Sequence, residues 1–318
     1  MANIVLSGKC NLRCPYCFAE DFTSSQSKDM DMELLYKAID FVAEEGSVGL
    51  IGGEPLVYKN IDTVLDLLDR DMRFRTVTVF TNGVFIDKHI DALTSPKIRL
   101  LINLNSSRNT GKESFERTVK NIRSLCERGM WRSITLGLNV YEENQDITEF
   151  IDTLREFSFD RARISVTIPQ DKSEGALPYF ERMKPTLLKI YKELKEIGVA
   201  PCYDCNVIPH CVFTEGELGF IMTLPYASPM ERELLLGKNA VCSPIIDIYP
   251  DGTATRCFGC YDDLKVDFSD FKCLTDLRNH FFMEIDSKRV HKKSRTLCES
   301  CYDYKTFKCY GGCLCYKK

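Results

Sequence analysis

The 318-residue sequence has no apolar run approaching the ~18 residues that cross a membrane. Met1 to Ser7 is too short to combine a basic n-region with an apolar h-region. Neither a membrane partner nor a secretory route is expected. A basic face is missing too: 42 Lys and Arg against 46 Asp and Glu leave a net charge of -4, which argues against a nucleic-acid partner. Only four histidines occur, and none has metal-ligand spacing. Cysteine is scarce through the middle, where only Cys126 falls between Cys17 and Cys202. Cys126 lies inside a helical pattern, where a small packing residue is the ordinary role.

At the ends, cysteine is plentiful. Of 16 in the chain, three lie in the first 17 residues and twelve beyond Gly198. Clustered thiols without a signal segment point to metal centres in a reducing compartment, hence the cytoplasm, rather than to a disulfide scaffold. The first group, Cys10-Asn11-Leu12-Arg13-Cys14-Pro15-Tyr16-Cys17, is a CxxxCxxC run. It offers three thiolates from one loop and leaves a four-ligand centre incomplete. A zinc site closed by a distant fourth ligand is the alternative at this point.

From the start to about residue 198, short β-rich runs alternate with helical patterns. Strands are expected at Asn3–Ser7, Val48–Ile51, Thr76–Phe80, Ile98–Leu104, Ile134–Val140 and Arg163–Ile168, each with the apolar, β-branched character of a buried parallel strand. Helices are expected over 31–45, 60–70, 87–94, 111–129, 147–157 and 178–197. Asp31 and Gly46 supply start and stop signals for the first, and Ile61, Val64, Leu65 and Leu68 share one face of the second. Six βα units make an α/β fold, either a doubly wound sheet or a partial barrel, with the chemistry at the strands' carboxyl ends. At the second of these ends stands Gly52-Gly53-Glu54-Pro55, and at the third Thr81-Asn82-Gly83.

CxxxCxxC after a first strand, followed by GGEP after the second, resembles the radical S-adenosylmethionine (SAM) superfamily. The resemblance implies a partial (β/α)6 TIM-like barrel. It implies that Cys10, Cys14 and Cys17 hold a [4Fe–4S] cluster whose open iron binds SAM. Gly52, Gly53, Glu54 and Pro55 would line the SAM amino group. Asn82 and Asn103 would stand near bound SAM, and Arg108 is a candidate partner for its carboxylate. Asn103 departs from the serine that relatives often carry there.

Past Gly198 regular periodicity fades. Ile245–Tyr249 and Thr253–Cys257 around Pro250-Asp251-Gly252 read as a β-hairpin. Cys242-x9-Gly252-x4-Cys257 and Cys298-x2-Cys301-x7-Cys309-x3-Cys313, with Cys315 following, resemble the SPASM extension of radical SAM peptide-modifying enzymes. The domains expected are 1–198, the barrel, and 199–318, a SPASM-like domain with one or two auxiliary [4Fe–4S] clusters. By that resemblance Cys242, Cys257 and Cys313 hold one cluster. Cys298, Cys301 and Cys309 hold the other, with Cys315 as its fourth ligand. Cys205-x5-Cys211 has the spacing of a pair that helps bind the first auxiliary cluster in some relatives. A zinc knuckle of Cys298, Cys301, Cys309 and Cys313 remains the alternative.

The resemblance implies an enzyme that cleaves SAM to a 5′-deoxyadenosyl radical and modifies a ribosomally synthesised peptide by hydrogen-atom abstraction. It implies a flavodoxin- or ferredoxin-type reductant. With nine residues ahead of Cys10, peptide recognition would fall to direct contacts or to a separate protein. A small-molecule substrate such as a sugar or aminocyclitol is the second expectation, and a non-catalytic zinc-binding interaction protein the last. No side chain stands out as a catalytic acid or base.

Overall fold

The computed structural model describes residues 1–17, 19–20, 22–23, 28–169, 171–203, 205–238 and 240–317. The strands are β1 (Ala2–Val5), β2 (Ser47–Ile51), β3 (Thr76–Thr81), β4 (Ile98–Asn103), β5 (Ile134–Val140), β6 (Arg161–Val166), β7 (Ala200–Cys202), β8 (Asp247–Ile248), β9 (Thr253–Thr255) and β10 (Val266–Asp267). The main helices between them are α1 (Met32–Val42), α2 (Ile61–Arg70), α3 (Ile90–Leu93), α4 (Ser107–Thr110), α5 (Lys112–Glu127), α6 (Thr148–Phe157) and α7 (Ala176–Glu196). Every strand and helix expected before Gly198 is present, with ends moved by a few residues at most. No helix among the described residues is long and apolar enough to cross a membrane.

The chain packs as two units, neither of them one continuous stretch. The first comprises Met1–Thr135 and Pro244–Phe281, the second Leu136–Ser243 and Phe282–Lys318. In the first, β1 to β4 are parallel neighbours in chain order. The other edge of β1 takes β8 in parallel, with Asn3 opposite Asp247 and Ile4 opposite Ile248. β9 and β10 then add antiparallel, so the hairpin read around Asp251-Gly252 is present as a sheet extension. Flanked on both sides, all four residues of β1 are buried, as the apolar run of an interior strand requires.

The helices cover this sheet through the stripes that the sequence spaces at three and four residues. α1 buries Leu35, Ala38, Ile39 and Val42, and α2 buries Ile61, Val64, Leu65 and Leu68. Asp31 caps α1 by accepting the Leu34 N–H at 2.9 Å. Gly46, in the left-handed conformation, closes the turn after it.

In the second unit β5, β6 and β7 are parallel, and α7 buries a long apolar face that includes Phe180, Leu187, Ile190 and Leu194. β7 is short and contains Pro201, which hid it from a reading by periodicity. Beyond it come α8 (Glu215–Ile221), closed by a capping box of Thr214 and Glu217, and α9 (Pro229–Leu235), capped by Ser228. Helical structure thus continues into the segment whose periodicity fades.

Candidate functional site

The carboxyl ends of β1, β2 and β3 come together around the first cysteine loop. As the chain leaves β1, Ser7 Oγ and Lys9 Nζ both donate to Asp29, at 2.7 and 3.0 Å. The backbone after β2 then runs against this loop: Gly53 N donates to Ser7 O and Glu54 N to Lys9 O, each at 2.9 Å. A Cβ on Gly52 would stand 2.4 Å from Ser7 O, and one on Gly53 would stand 2.3 Å from Lys9 O. Two glycines are needed here because two backbones touch, which gives GGEP a steric reason beyond the turn itself.

Glu54 is fully buried. Its carboxylate accepts the Thr81 hydroxyl at 2.6 Å, the Asn82 N–H at 2.7 Å and the Leu56 N–H at 3.1 Å. Burial pushes its carboxyl up to about 7, against the pull of those three donors. The carboxylate therefore locks the end of β3 to the end of β2. Asn82, the next residue, reaches back to the cysteine loop through Nδ2 to Asn11 Oδ1 at 2.9 Å.

Within the loop a turn closes from Cys14 O to Cys17 N at 3.1 Å, and Leu12 N donates to Cys10 Sγ at 3.4 Å. Burial pushes the Cys10 thiol up to about 11, with the charges of Glu54 and Cys17 adding to it. It pushes Cys14 up to about 12, where Cys10 and Cys17 add, and it raises Cys17 as well. The three sulfurs thus sit within electrostatic reach of one another as protonated thiols, and iron must displace those protons to bind. Among the described residues no three His, Cys, Asp or Glu side chains are gathered into a single-ion site. A cubane asks for something else, one thiolate on each of its irons. Three thiols of one loop within electrostatic reach of one another, beside a glycine-lined backbone cradle, suit that donor set.

Asn105 was not singled out by sequence reasoning. Just past β4, its Nδ2 donates to Cys14 Sγ at 3.6 Å. An amide two residues beyond a strand end, in Asn103-Leu104-Asn105, was the available signal. Asn103 is the last residue of β4 and Arg108 lies in α4, both in the same unit as the loop.

The later cysteines fall into groups that sequence order does not follow. Cys257 follows β9, and the Cys260 N–H closes a turn onto its carbonyl at 2.9 Å. The Cys260 thiol and Arg256, whose Nη1 is 3.6 Å from Cys257 Sγ, together hold the Cys257 thiol low, while the hydrogen bond to Cys257 and burial push Cys260 up. Both belong to the first unit, whereas Cys242 and Cys313 belong to the second. Cys315 Sγ lies 3.2 Å from Cys313 Sγ. Cys211 lies within electrostatic reach of Cys298, Cys301 and Cys309. Cys205, the partner read for Cys211, is exposed.

Comparison with known proteins now places this geometry. Residues 4–156 match the model described as Radical SAM superfamily. The GTP 3′,8-cyclase of Chlorobaculum tepidum is 28% identical over 211 residues, covering 61% of this chain and 62% of that protein. The antilisterial bacteriocin subtilosin biosynthesis protein AlbA of Bacillus subtilis is 26% identical over 155 residues, covering 45% of this chain and 34% of AlbA. The chain thus spans less than two thirds of either relative. Among solved structures, Streptococcus suis SuiB bound to S-adenosylmethionine aligns over 98% of this chain and 72% of its own, with a TM-score of 0.64 and 19% identity. Native anSMEcpe with bound AdoMet and Kp18Cys peptide aligns over 98% of this chain and 88% of its own, with a TM-score of 0.67 and 18% identity. At such identities the likeness is one of fold. With the thiol loop, the glycine cradle and the parallel α/β architecture in register with that match, residues 4–156 are a radical SAM domain, whose cofactors are a [4Fe–4S] cluster and S-adenosylmethionine.

Proposed function

We propose that this protein is a radical SAM enzyme that modifies a ribosomally synthesised peptide. The observation that carries the reading is the arrangement of the later cysteines. Beyond the domain that splits SAM, the chain holds grouped thiols at Cys211/Cys298/Cys301/Cys309, Cys313/Cys315 and Cys257/Cys260. Clusters held there would serve a substrate radical with an electron acceptor or a thiolate site. Support comes from AlbA, a bacteriocin biosynthesis protein, and from the fold shared with SuiB, which has been seen with the precursor peptide SuiA.

In this reading Cys10, Cys14 and Cys17 hold the SAM-binding cluster. Gly52, Gly53, Glu54, Pro55, Asn82, Asn103 and Arg108 border the SAM site. Bound together, cluster and SAM supply a 5′-deoxyadenosyl radical that abstracts hydrogen from an unactivated carbon. The chain's own part is to hold the loop. Asp29 and the Gly53 and Glu54 N–H groups fix its start, Glu54 ties β2 to β3, and Asn105 places an N–H on Cys14. Six βα units within residues 1–198 would form the partial barrel. Residues 199–318 would carry the auxiliary clusters. The enzyme would work in the cytoplasm with a flavodoxin- or ferredoxin-type reductant, and a separate protein would present the peptide where direct contacts do not.

A second reading, chemistry on a nucleotide, is favoured by one observation: the match to GTP 3′,8-cyclase runs over 61% of the chain. The two are separated by incubating the anaerobically reconstituted protein with SAM and dithionite, adding either GTP or short peptides encoded beside its gene. The peptide reading expects one peptide to raise 5′-deoxyadenosine formation and to pass deuterium into it from a labelled residue. Stimulation by GTP alone, with a cyclised nucleotide product, overturns it.

A further inference from the structure

Cys211 lies some ninety residues before Cys298, yet the second unit holds it against the C-terminal cysteines from two sides. Arg295 donates to Cys211 O at 2.8 Å and pairs with Glu181 of α7 at 2.8 Å. The neighbouring His210 places Nδ1 3.5 Å from Asp303 Oδ2. Asp303 O in turn accepts the N–H groups of Lys308 at 2.8 Å and Cys309 at 3.1 Å, closing the turn that brings Cys309 back toward Cys301. The Cys211 thiol comes within electrostatic reach of Cys298, Cys301 and Cys309, and Cys309 within reach of Cys301. Gly311 N donates to Cys309 Sγ at 3.2 Å.

Two cations stand at this group. Arg295, hydrogen-bonded to the Cys211 carbonyl, lies within electrostatic reach of the Cys211 thiol. Lys317 lies within reach of Cys298 and Cys309, with Nζ donating to the carbonyls of Lys292 and Tyr310. A [4Fe–4S]2+ core with four thiolates carries two net negative charges, and burying such charge requires opposite charge close by. Lys317, and Arg295 shared with Glu181, place positive charge beside it. Cys315, nearer in sequence, lies with its Sγ 3.2 Å from that of Cys313.

We propose that Cys211 is the fourth thiolate of a [4Fe–4S] cluster held by Cys298, Cys301 and Cys309. This deepens the reading of the later cysteines as auxiliary-cluster ligands and rests on it. The consequence is functional. With a protein thiolate on every iron, this cluster has no open position for a substrate group, so its role is to carry electrons.

The test is iron and sulfide per chain, with EPR of the reduced protein, after anaerobic reconstitution of the full chain. Cys211→Ala is expected to lose the same cluster signal and as much iron as Cys301→Ala, up to roughly four irons. The double variant should lose no more, and Cys315→Ala should keep that signal. Cys211→Ser, which preserves volume, is expected to retain the cluster with a shifted midpoint potential. Full iron and an unshifted potential in both Cys211 variants, beside a loss in Cys301→Ala, overturns the assignment while sparing the auxiliary-cluster reading. Full iron in Cys301→Ala overturns both.

Discussion

Glu54 holds three donors from two strand ends on one buried carboxylate, so its replacement is felt through geometry as well as charge. In Glu54→Gln an amide NH2 must face either the Asn82 N–H or the Thr81 and Leu56 donors, leaving at least one buried donor opposed. We expect that variant to lose about 1–3 kcal/mol of stability in urea unfolding, and an unchanged midpoint would show that the carboxylate is not the lock described. Gly53 sets a sharper condition, because any side chain there meets the Lys9 carbonyl at 2.3 Å. Gly53→Ala should displace the cysteine loop and abolish 5′-deoxyadenosine formation. Wild-type turnover in that variant would mean that the two backbones do not need to touch.

Elements are joined by residues that the pattern of any single element does not reveal. Glu45, in the turn after α1, binds the Ala2 N–H at 2.7 Å and Arg278 of the helix α10 (Leu274–Phe281) at 2.7 Å. Burial alone would raise its carboxyl, but the hydrogen bonds from the Met1 amino group and from Arg278 outweigh it and hold the group below the ordinary carboxylate range. A carboxyl with a lowered folded pKa stabilises above its unfolded pKa of about 4.3 and loses that contribution as the pH falls through the folded value. Glu45→Gln should therefore cost about 1 kcal/mol at pH 7, a difference that shrinks toward zero as titration goes below about pH 4. A gap that stays constant with pH would point to packing alone. The spacing of Ile61, Val64, Leu65 and Leu68 is written within ten residues, and α2 was legible for that reason. Pairing of β8 with β1 was not, because Asn3 and Asp247 meet through a chain of more than 240 residues and each strand is too short to announce its partner. Cys211 escaped for the same reason. Its spacing to Cys205 is local and visible, whereas its approach to Cys298 depends on Arg295, Glu181 and Asp303.

For the whole molecule, the proposed ligand sets translate into a count. Three cubanes amount to roughly twelve irons per chain. Cys14→Ala should remove only those of the SAM-binding cluster, leaving about eight, and should end SAM cleavage. Cleavage that persists in that variant would sink the assignment of the first loop. A zinc content in place of iron would do the same for the auxiliary sites.

One feature of the first unit bears on how the chain reaches its folded state. One edge of β1 is sealed by β8 through the Asn3–Asp247 pair, so β1 is synthesised 244 residues ahead of its neighbour on that side. Until then a strand apolar at every residue but Asn3 offers unpaired N–H and C=O groups to any passing chain, the template on which edge-to-edge aggregation starts. A chain stopped at Ser243 never closes that edge and should sediment as aggregates, while the full chain stays dispersed. Monodisperse behaviour of the shortened chain would show that β1 is guarded in some other way. The hairpin after Cys242 is thereby a seal on β1 as well as a carrier of cysteines.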